Sequence, residues 1–246
     1  MSEFSSLCDE FYVNMSLNTE MELPTGRDTL LHFFEQLQKQ YPTMQNFYSR
    51  QKGEYILEED KDSGSYRWVT VDAKRIGSGH INPESIEMPD EQHRLVLESV
   101  PYTLSVSPLD CESLDYMMGF DFSYRGNHHE LLREALGIVP AFEKMIDANN
   151  KLVSNEPSIQ FALTEDCRTQ CRIAIESRSS AYHIRTGEFP EEQISVYLTM
   201  RRYGSLGPST SYVDTLVDLK THAANILNTY VVENVLQPLH QTIAIK

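Results

Sequence analysis

Alternating apolar and polar positions mark several strands along this chain. From Phe11 to Asn18 every second residue is apolar and the residues between are polar, which is typical of a strand with one face in water. Residues 116–124 alternate in the same way. Shorter runs with strand character lie at 54–60, 66–74, 102–107, 158–164, 170–177 and 194–203. The pattern therefore predicts two successive groups of antiparallel strands.

Helical spacing of apolar residues predicts helices between and after these strands. Such spacing covers 27–40, which Pro42 ends, and 127–136, and it is weaker at 90–99. A longer amphipathic helix is predicted from Ser211 to Leu236, with Ser211 and Asp214 resembling a capping box. Pro238 is expected to end or kink this helix. Its expected buried stripe consists of Leu216, Leu219, Ala223, Ile226, Leu227 and Tyr230.

The two halves of the chain also resemble each other. His80-Ile81, followed by a Pro-acid-acid-Gln segment at 89–92, recurs as His183-Ile184, followed by a Pro-acid-acid-Gln segment at 190–193. We interpret the halves as two copies of one structural unit. Residues 11–107 and 114–203 are then expected to be related by a pseudo-two-fold axis.

The predicted fold class is α+β, a tandem duplication of a strand–helix–three-strand unit with a long C-terminal helix. Each unit is expected to form an antiparallel sheet with helices on one face. The first unit is predicted to span residues 1–110, and the second unit with the C-terminal helix residues 111–246. Because neither sheet is expected to be stable alone, the two units should form one integrated globule.

The charge balance restricts the partners that this chain can have. It has 246 residues, with 36 acidic and 21 basic side chains and a formal net charge of −15. Such a charge repels nucleic-acid phosphates and anionic lipids, so neither nucleic acid nor a membrane is an expected partner. A protein partner or self-association is expected instead. A start without a basic and apolar leader, and four dispersed cysteines, favour a cytoplasmic protein with reduced thiols.

Histidine and cysteine pairs are the first candidates for chemistry. His128 and His129 are adjacent, so their side chains point in different directions, and a role at the start of a helix is favoured over a shared metal. Cys167 and Cys171 flank a predicted turn and supply at most half a zinc site, which leaves structural thiols or a redox switch. We therefore expect no metal, no cofactor and no catalytic constellation, which favours a protein that is not an enzyme.

Binding residues are predicted at two kinds of position. His80 and His183 occupy matched positions in the two halves, which suggests either a shared role in binding or a structural role at strand ends. Strand alternation places Trp68, Arg172, Tyr197 and Arg201 on the polar side of the sheets, and aromatic and arginine side chains are typical of binding surfaces. The alternative is an ordinary solvated sheet face.

These observations allow two functions. The first is a non-enzymatic binding or protein-interaction protein that uses the polar face of the sheet. The second is a small-molecule or anion binder, enzyme or not, with a site between the two units that includes His80, His183, Arg185 and Arg201. A deep cavity would favour the second function, whereas a flat or self-associating face would favour the first.

Overall fold

A nine-stranded antiparallel sheet is the main feature of the computed structural model, which describes residues 4–51, 53–146, 150–207 and 209–246. The strands are β1 (Glu10–Thr19), β2 (Asn46–Gln51), β3 (Glu54–Glu58), β4 (Tyr66–Val71), β5 (Arg75–Ile81), β6 (Cys111–Arg125), β7 (Ser158–Ala162), β8 (Thr169–Glu176) and β9 (Glu191–Tyr203). Their order across the sheet is β2-β3-β4-β5-β1-β6-β9-β8-β7. Residues 1–3, which belong to the N-terminal segment judged above to lack a leader, lie outside the described residues.

Helices are inserted between the strands and follow the last one. They are α1 (Arg27–Gln40), α2 (Glu87–Thr103), α3 (His128–Leu136), α4 (Pro140–Glu143), α5 (Ala181–Thr186), α6 (Tyr212–Ile226) and α7 (Gln237–Ala244), with a π-helical stretch at Leu227–Leu236. The structure is therefore a mixed α+β fold with a large antiparallel sheet and a long C-terminal helix, in agreement with the predicted class.

The connections in the two halves of the sheet follow the same order. In the first half β1 is central, β5 lies beside it, and β4, β3 and β2 follow outward. In the second half β6 is central, β9 lies beside it, and β8 and β7 follow outward. Because β1 and β6 pair antiparallel, from Glu10 opposite Asp121 to Thr19 opposite Cys111, the prediction of one sheet per unit is wrong. A single sheet runs through both halves.

The first half departs from the predicted order of strands. The prediction of a strand at 102–107 is wrong, because Tyr102 and Thr103 end α2. Helical spacing explains this, since Val96, Val100 and Leu104 are all buried. The pattern also missed β2 and β5. Two glycines interrupt the apolar alternation of β5, although its residues from 76 to 81 are all buried.

The apolar side chains of the strands face a core beneath the helices. On β1, Phe11, Val13, Met15 and Leu17 are buried as the alternation predicts. Helix α2 packs against β1 and β5, and α6 packs against β6 and β9. Helix α2 also contacts α1 and α6, which closes the helical layer. We call the opposite side of the sheet the polar face.

The C-terminal helix continues past its predicted end. The capping box of Ser211 and Asp214 is confirmed at the start of α6. Pro238 does not end the helix, because it lies in the first turn of α7, directly after the π-helical stretch. The longer hydrogen-bond spacing of the π stretch shifts the buried stripe to Val231 and leaves Tyr230 63% exposed. Tyr230 was therefore assigned wrongly to the buried stripe.

Within the part of the chain that the structure describes, none of the helices combines the length and the apolar character that crossing a bilayer requires.

Candidate functional site

Two neighbouring rows of cross-strand partners run across the polar face. From β4 to β7, the first row contains Trp68, Gly79, Asn14, Met117, Thr199, Arg172 and Gln160. The second row contains Thr70, Gly77, Ser16, Asp115, Arg201, Gln170 and Ala162. The structure thus brings three of the predicted residues, Trp68, Arg172 and Arg201, onto one face and into adjacent rows.

A groove follows these two rows, and it has two adjoining parts of about 290 and 240 Å³. Trp68 and Ser16 line both parts. Trp68 on β4 and Gln160 on β7 are six strand-to-strand steps apart, which would be roughly 29 Å in a flat sheet. Both residues line the larger part, so the groove extends across all seven strands from β4 to β7. The groove crosses the β1–β6 pair, where the two halves of the chain meet.

Hydrogen-bonding and charged side chains dominate the lining of the groove. The larger part is lined by Asn14, Ser16, Trp68, Asp115, Met117, Gln160, Gln170, Arg172, Thr199, Arg201 and Tyr203. The smaller part is lined by Ser16, Arg50, Glu54, Ile56, Glu58, Lys61, Tyr66, Trp68, Thr70, Arg75 and Gly77. Five basic and three acidic side chains therefore line the groove, in a chain of net charge −15.

Trp68 lies against the backbone of β5. A Cβ added to Gly79 would come within 2.3 Å of the indole, and one added to Gly77 within 3.1 Å. Real Cβ atoms do not approach other atoms as closely as 2.3 Å, so a side chain at Gly79 would displace the ring. Gly77 and Gly79 interrupt the strand pattern of β5, and their lack of a side chain makes room for the indole of Trp68 against the β5 backbone.

Arg201 is held in place by Asp115 on the neighbouring strand β6. The Nε and Nη2 atoms of Arg201 donate to the two carboxylate oxygens of Asp115 at 2.6 and 2.5 Å. Nη1 also donates to the Tyr203 hydroxyl at 3.3 Å. Burial raises the pKa of Asp115, and the hydrogen bonds and charge of Arg201 oppose that rise only in part. A bidentate pair of this kind fixes the guanidinium plane and leaves its remaining N–H groups oriented.

Arg172 differs from Arg201 because its charge is not neutralised by a partner in the described part of the chain. It lies on β8 opposite Thr199 and Gln160, and its side chain is exposed. Its guanidinium makes no hydrogen bond or ion pair with any described residue. Five donors in a planar fork are therefore free to bind a carboxylate or phosphate group at this end of the groove.

Tyr197 lies on the same face as these residues, but it belongs to a separate polar cluster beside the groove. Its side chain lies close to those of Tyr12 and Arg178 and contributes to raising the pKa of both. Tyr12 covers Gly119 of β6 and donates to Asp121 at 3.2 Å. Burial raises the pKa of both Tyr12 and Asp121. Tyr197 is therefore beside the groove and is not among the residues that line it.

His80 lies on the opposite side of the sheet from the groove. It pairs with Val13 on β1, it is 1% exposed, and its Nε2 atom lies 3.3 Å from the Ser65 hydroxyl. Burial, with a smaller contribution from the charge of Arg67, lowers the pKa of His80 to about 4. His80 is therefore not part of the groove, and its place near the end of β5 agrees with the alternative of a structural role at a strand end.

His183 does not match His80 in structure. It lies in helix α5, where its Nδ1 atom accepts from the backbone N–H of Ser180 and completes a capping box. It lines a shallow cavity of about 680 Å³ with Tyr182 and Arg125, and Arg185 stacks on the Tyr182 ring. The repeated His-Ile pairs therefore occupy a strand in one half and a helix in the other. The predicted set of His80, His183, Arg185 and Arg201 is not brought together.

None of the remaining histidine and cysteine candidates lines the groove. His129 is buried, and its two ring nitrogens contact the carbonyls of Asn155 and Ser179. Cys171 is buried in the core, whereas Cys167 is exposed in the turn, and both are free thiols. Among the described residues, no group of three His, Cys, Asp or Glu side chains is placed so that it could hold a metal ion.

Several groove residues were not among the predicted site residues. Asn14 and Ser16 occupy polar positions of the first alternating run, so the pattern contained the signal for them. Asp115 precedes the predicted strand at 116–124 by one residue, and no local pattern pairs it with Arg201, 86 residues away. Neither a comparison with protein-family models nor a comparison with curated proteins finds a significant match to this chain.

Proposed function

We propose that this protein is a non-enzymatic binding protein that holds an anionic ligand in the groove of the polar face. This proposal joins the two functions considered above, because the groove belongs to the polar face and also crosses the junction of the two halves. A volume of about 290 Å³ for its larger part is near the lower end of the range for ligand sites. A small ligand, or a short acidic segment of a protein partner, has the matching size.

The exposed and unneutralised guanidinium of Arg172 is the observation that carries this proposal. Arg172 forms no ion pair with any described residue, whereas Arg201, in the adjacent row, is paired with Asp115. An arginine inside a groove that has no partner among the described residues keeps all of its donors for an external anion. Thr199, Gln160 and Gln170 supply neutral hydrogen-bonding groups around it.

The lining of the larger part favours binding without chemistry. Asp115 is the one carboxylate among the described residues that line it, and Arg201 engages both of its oxygens. Because Arg201 occupies both oxygens, this carboxylate could take a proton from a ligand only by breaking the bidentate pair. We therefore assign Asp115 to the positioning of Arg201, and Arg172 to the direct contact with the ligand.

Arg172→Gln is expected to weaken anion binding about 10- to 150-fold, which corresponds to the loss of one charge-assisted hydrogen bond of about 1.5–3 kcal/mol. Calorimetric titration with phosphate, citrate and a glutamate-rich peptide measures this effect, and the peptide tests an acidic protein partner. The free energy of unfolding should change by less than about 0.5 kcal/mol, as is usual for surface positions.

Arg94→Gln is the matched control, because it removes the same charge from the helical side of the sheet, where Arg94 is 60% exposed. It should bind every anion as the parent protein does. Equal affinities of the parent and Arg172→Gln proteins, or an equal loss in Arg94→Gln, would show that the groove does not bind anions through Arg172.

We also propose that residues 1–110 and 111–246 arose by duplication of one unit. The support is the shared order of connections, in which each half places its first strand centrally and its last strand beside it. On this basis β1, β4 and β5 correspond to β6, β8 and β9, and α1 and α2 correspond to α3 and α6. A superposition of an experimental structure tests this correspondence. Strands that overlay while the helices do not would contradict it.

A further inference from the structure

Trp68 occupies the middle of the groove, where its two parts meet. It is the single tryptophan of the chain, and it lines both the larger part of the groove, of about 290 Å³, and the smaller part, of about 240 Å³. One face of the indole is backed by Gly77 and Gly79 of β5. The ring therefore lies along the sheet, and its other face is directed at the groove.

The two glycines that make room for the indole are an unfavourable choice for the interior of a strand. Glycine in a strand interior is destabilising by roughly 0.5–1 kcal/mol relative to alanine, and β5 has two such glycines on the polar face. A β-branched residue at Gly79 would be the favoured choice for a central strand. The pair of glycines makes structural sense because it lets a flat aromatic surface form the floor of the groove.

Basic groups lie on both sides of this aromatic floor. Arg172 and Arg201 line the larger part beside Trp68, and Arg50, Lys61 and Arg75 line the smaller part. Glu58 pairs with Lys61 at 3.1 Å, and Asp72 pairs with Arg75 at 3.0 Å, so the charge of the smaller part is partly neutralised. The unneutralised Arg172 makes the larger part the place for an acidic group.

We propose that the ligand carries a planar ring that stacks on Trp68 and an acidic group that binds Arg172. This inference rests on the proposed function, because it specifies the chemistry of the anion that the groove would hold. A nucleoside phosphate and an aromatic carboxylic acid share this chemistry. Stacking recognises the π face that both have, and the planar fork of arginine binds carboxylate and phosphate alike.

Two matched pairs of probes test this proposal with the full-length protein. Adenosine monophosphate has a purine ring that ribose 5-phosphate lacks. Benzoate and cyclohexanecarboxylate have the same acidic group, but only the ring of benzoate is aromatic. The parent protein should bind the aromatic member of at least one pair more tightly, and the pair that shows the preference identifies the source. Binding should also quench the fluorescence of the single tryptophan. Calorimetry gives the affinities independently of fluorescence.

Trp68→Leu should weaken binding of the preferred aromatic anion roughly 5- to 150-fold, the range for the loss of one stacked ring. It should leave the affinity for the non-aromatic partner unchanged. Trp68→Phe keeps a ring and should restore part of the preference. Gly79→Ala keeps the indole but forces it and the Asn14 amide to shift, and should also lower the preference, while Gly207→Ala, where an added Cβ has its nearest contact at 4.0 Å, should not.

Two results would overturn the proposal. The parent protein could bind both members of each pair equally, or Trp68→Leu could retain the aromatic preference while melting like the parent. In either case anion binding that depends on Arg172 would still support the proposed function. Failure of all four probes and of the simple anions to bind would overturn the proposed function together with this inference.

Discussion

Removal of all residues after Gly207 is expected to abolish cooperative folding of this protein. The removed segment contains the C-terminal helix, which covers β6 and β9 through α6. Its buried large side chains are Tyr212, Leu216, Leu219, Leu227, Val231, Leu236 and Leu239. Their burial contributes on the order of 10–20 kcal/mol. Because the net stability of a protein is about 5–15 kcal/mol, the shortened chain should have no stable native state.

Circular dichroism during urea and thermal unfolding measures this loss, and binding of a hydrophobic dye reports the uncovered sheet. The matched control removes residues 245 and 246, where Ile245 is 79% exposed and Lys246 makes an exposed ion pair with Glu134. This control should unfold cooperatively, close to the parent protein. A cooperative transition of the chain that ends at Gly207, with the parent's slope in urea, would contradict the expectation.

Sequence patterns predicted the elements in which burial follows the local period. Helix α1 begins and ends where the spacing of Leu30, Phe34 and Leu37 places it, and the alternation of β1 identifies its buried face. The same alternation put Trp68 and Arg201 on the polar face. These predictions succeeded because each depends on which way a side chain points relative to its own backbone.

Other features depend on contacts between distant segments, and the sequence has no local signal for them. β5 could not be found because its glycines make room for Trp68, which comes from another strand. The pairing of Arg201 with Asp115 spans 86 residues and is set by the register of β6 and β9. The sequence match of His80 with His183 did not carry over to structure, because His80 lies in a strand whereas His183 caps a helix. Local similarity does not fix the element in which a residue lies.

Two buried histidines should make the protein lose stability as the pH falls below about 6.5. His80 and His93 are 1% and 0% exposed, and they lie near each other between β5 and α2. Burial lowers the pKa of His80 to about 4 and that of His93 to about 3, from an ordinary value of 6.5. The charges near His80 are those of Arg67, which lowers its pKa further, and Glu59, which opposes this.

The hydrogen bonds around these rings explain why protonation is unfavourable. The Nδ1 atom of His93 lies 3.0 Å from the Ser78 hydroxyl, which also accepts from Gln92 at 2.9 Å. The Nε2 atom of His93 and the Nδ1 atom of His80 are buried and have no hydrogen-bond partner among the described residues. A proton added to either ring would therefore create a buried charge, which only the backbone of Val13, beside His93, opposes in part.

The sign of the effect follows from proton uptake. Below about pH 6.5 the unfolded chain binds protons on both histidines, while the folded protein binds none until the pH approaches 4. Stability is therefore fully present above 6.5 and is lost as the pH falls from 6.5 toward 4. Between about pH 7 and pH 5, each histidine should lower the free energy of unfolding by roughly 2 kcal/mol.

His80→Gln and His93→Asn isolate these contributions when urea unfolding is measured at both pH values. Each variant is expected to be less stable than the parent at pH 7, because a packed ring is lost, and to lose roughly 2 kcal/mol less on acidification. Buried carboxyls such as Asp115 and Asp121, whose pKa burial raises, act in the opposite direction. Their effect cancels in the difference between parent and variant.

His32→Gln is the control, because it removes an exposed imidazole from α1. It should reproduce the parent's loss of stability, whereas the double variant of His80 and His93 should lose roughly 4 kcal/mol less. The same loss in the parent and the double variant would mean that the two rings are solvated or already paired. The packing of α2 on β5 would then differ from that described, since burial between these two elements is what lowers both pKa values.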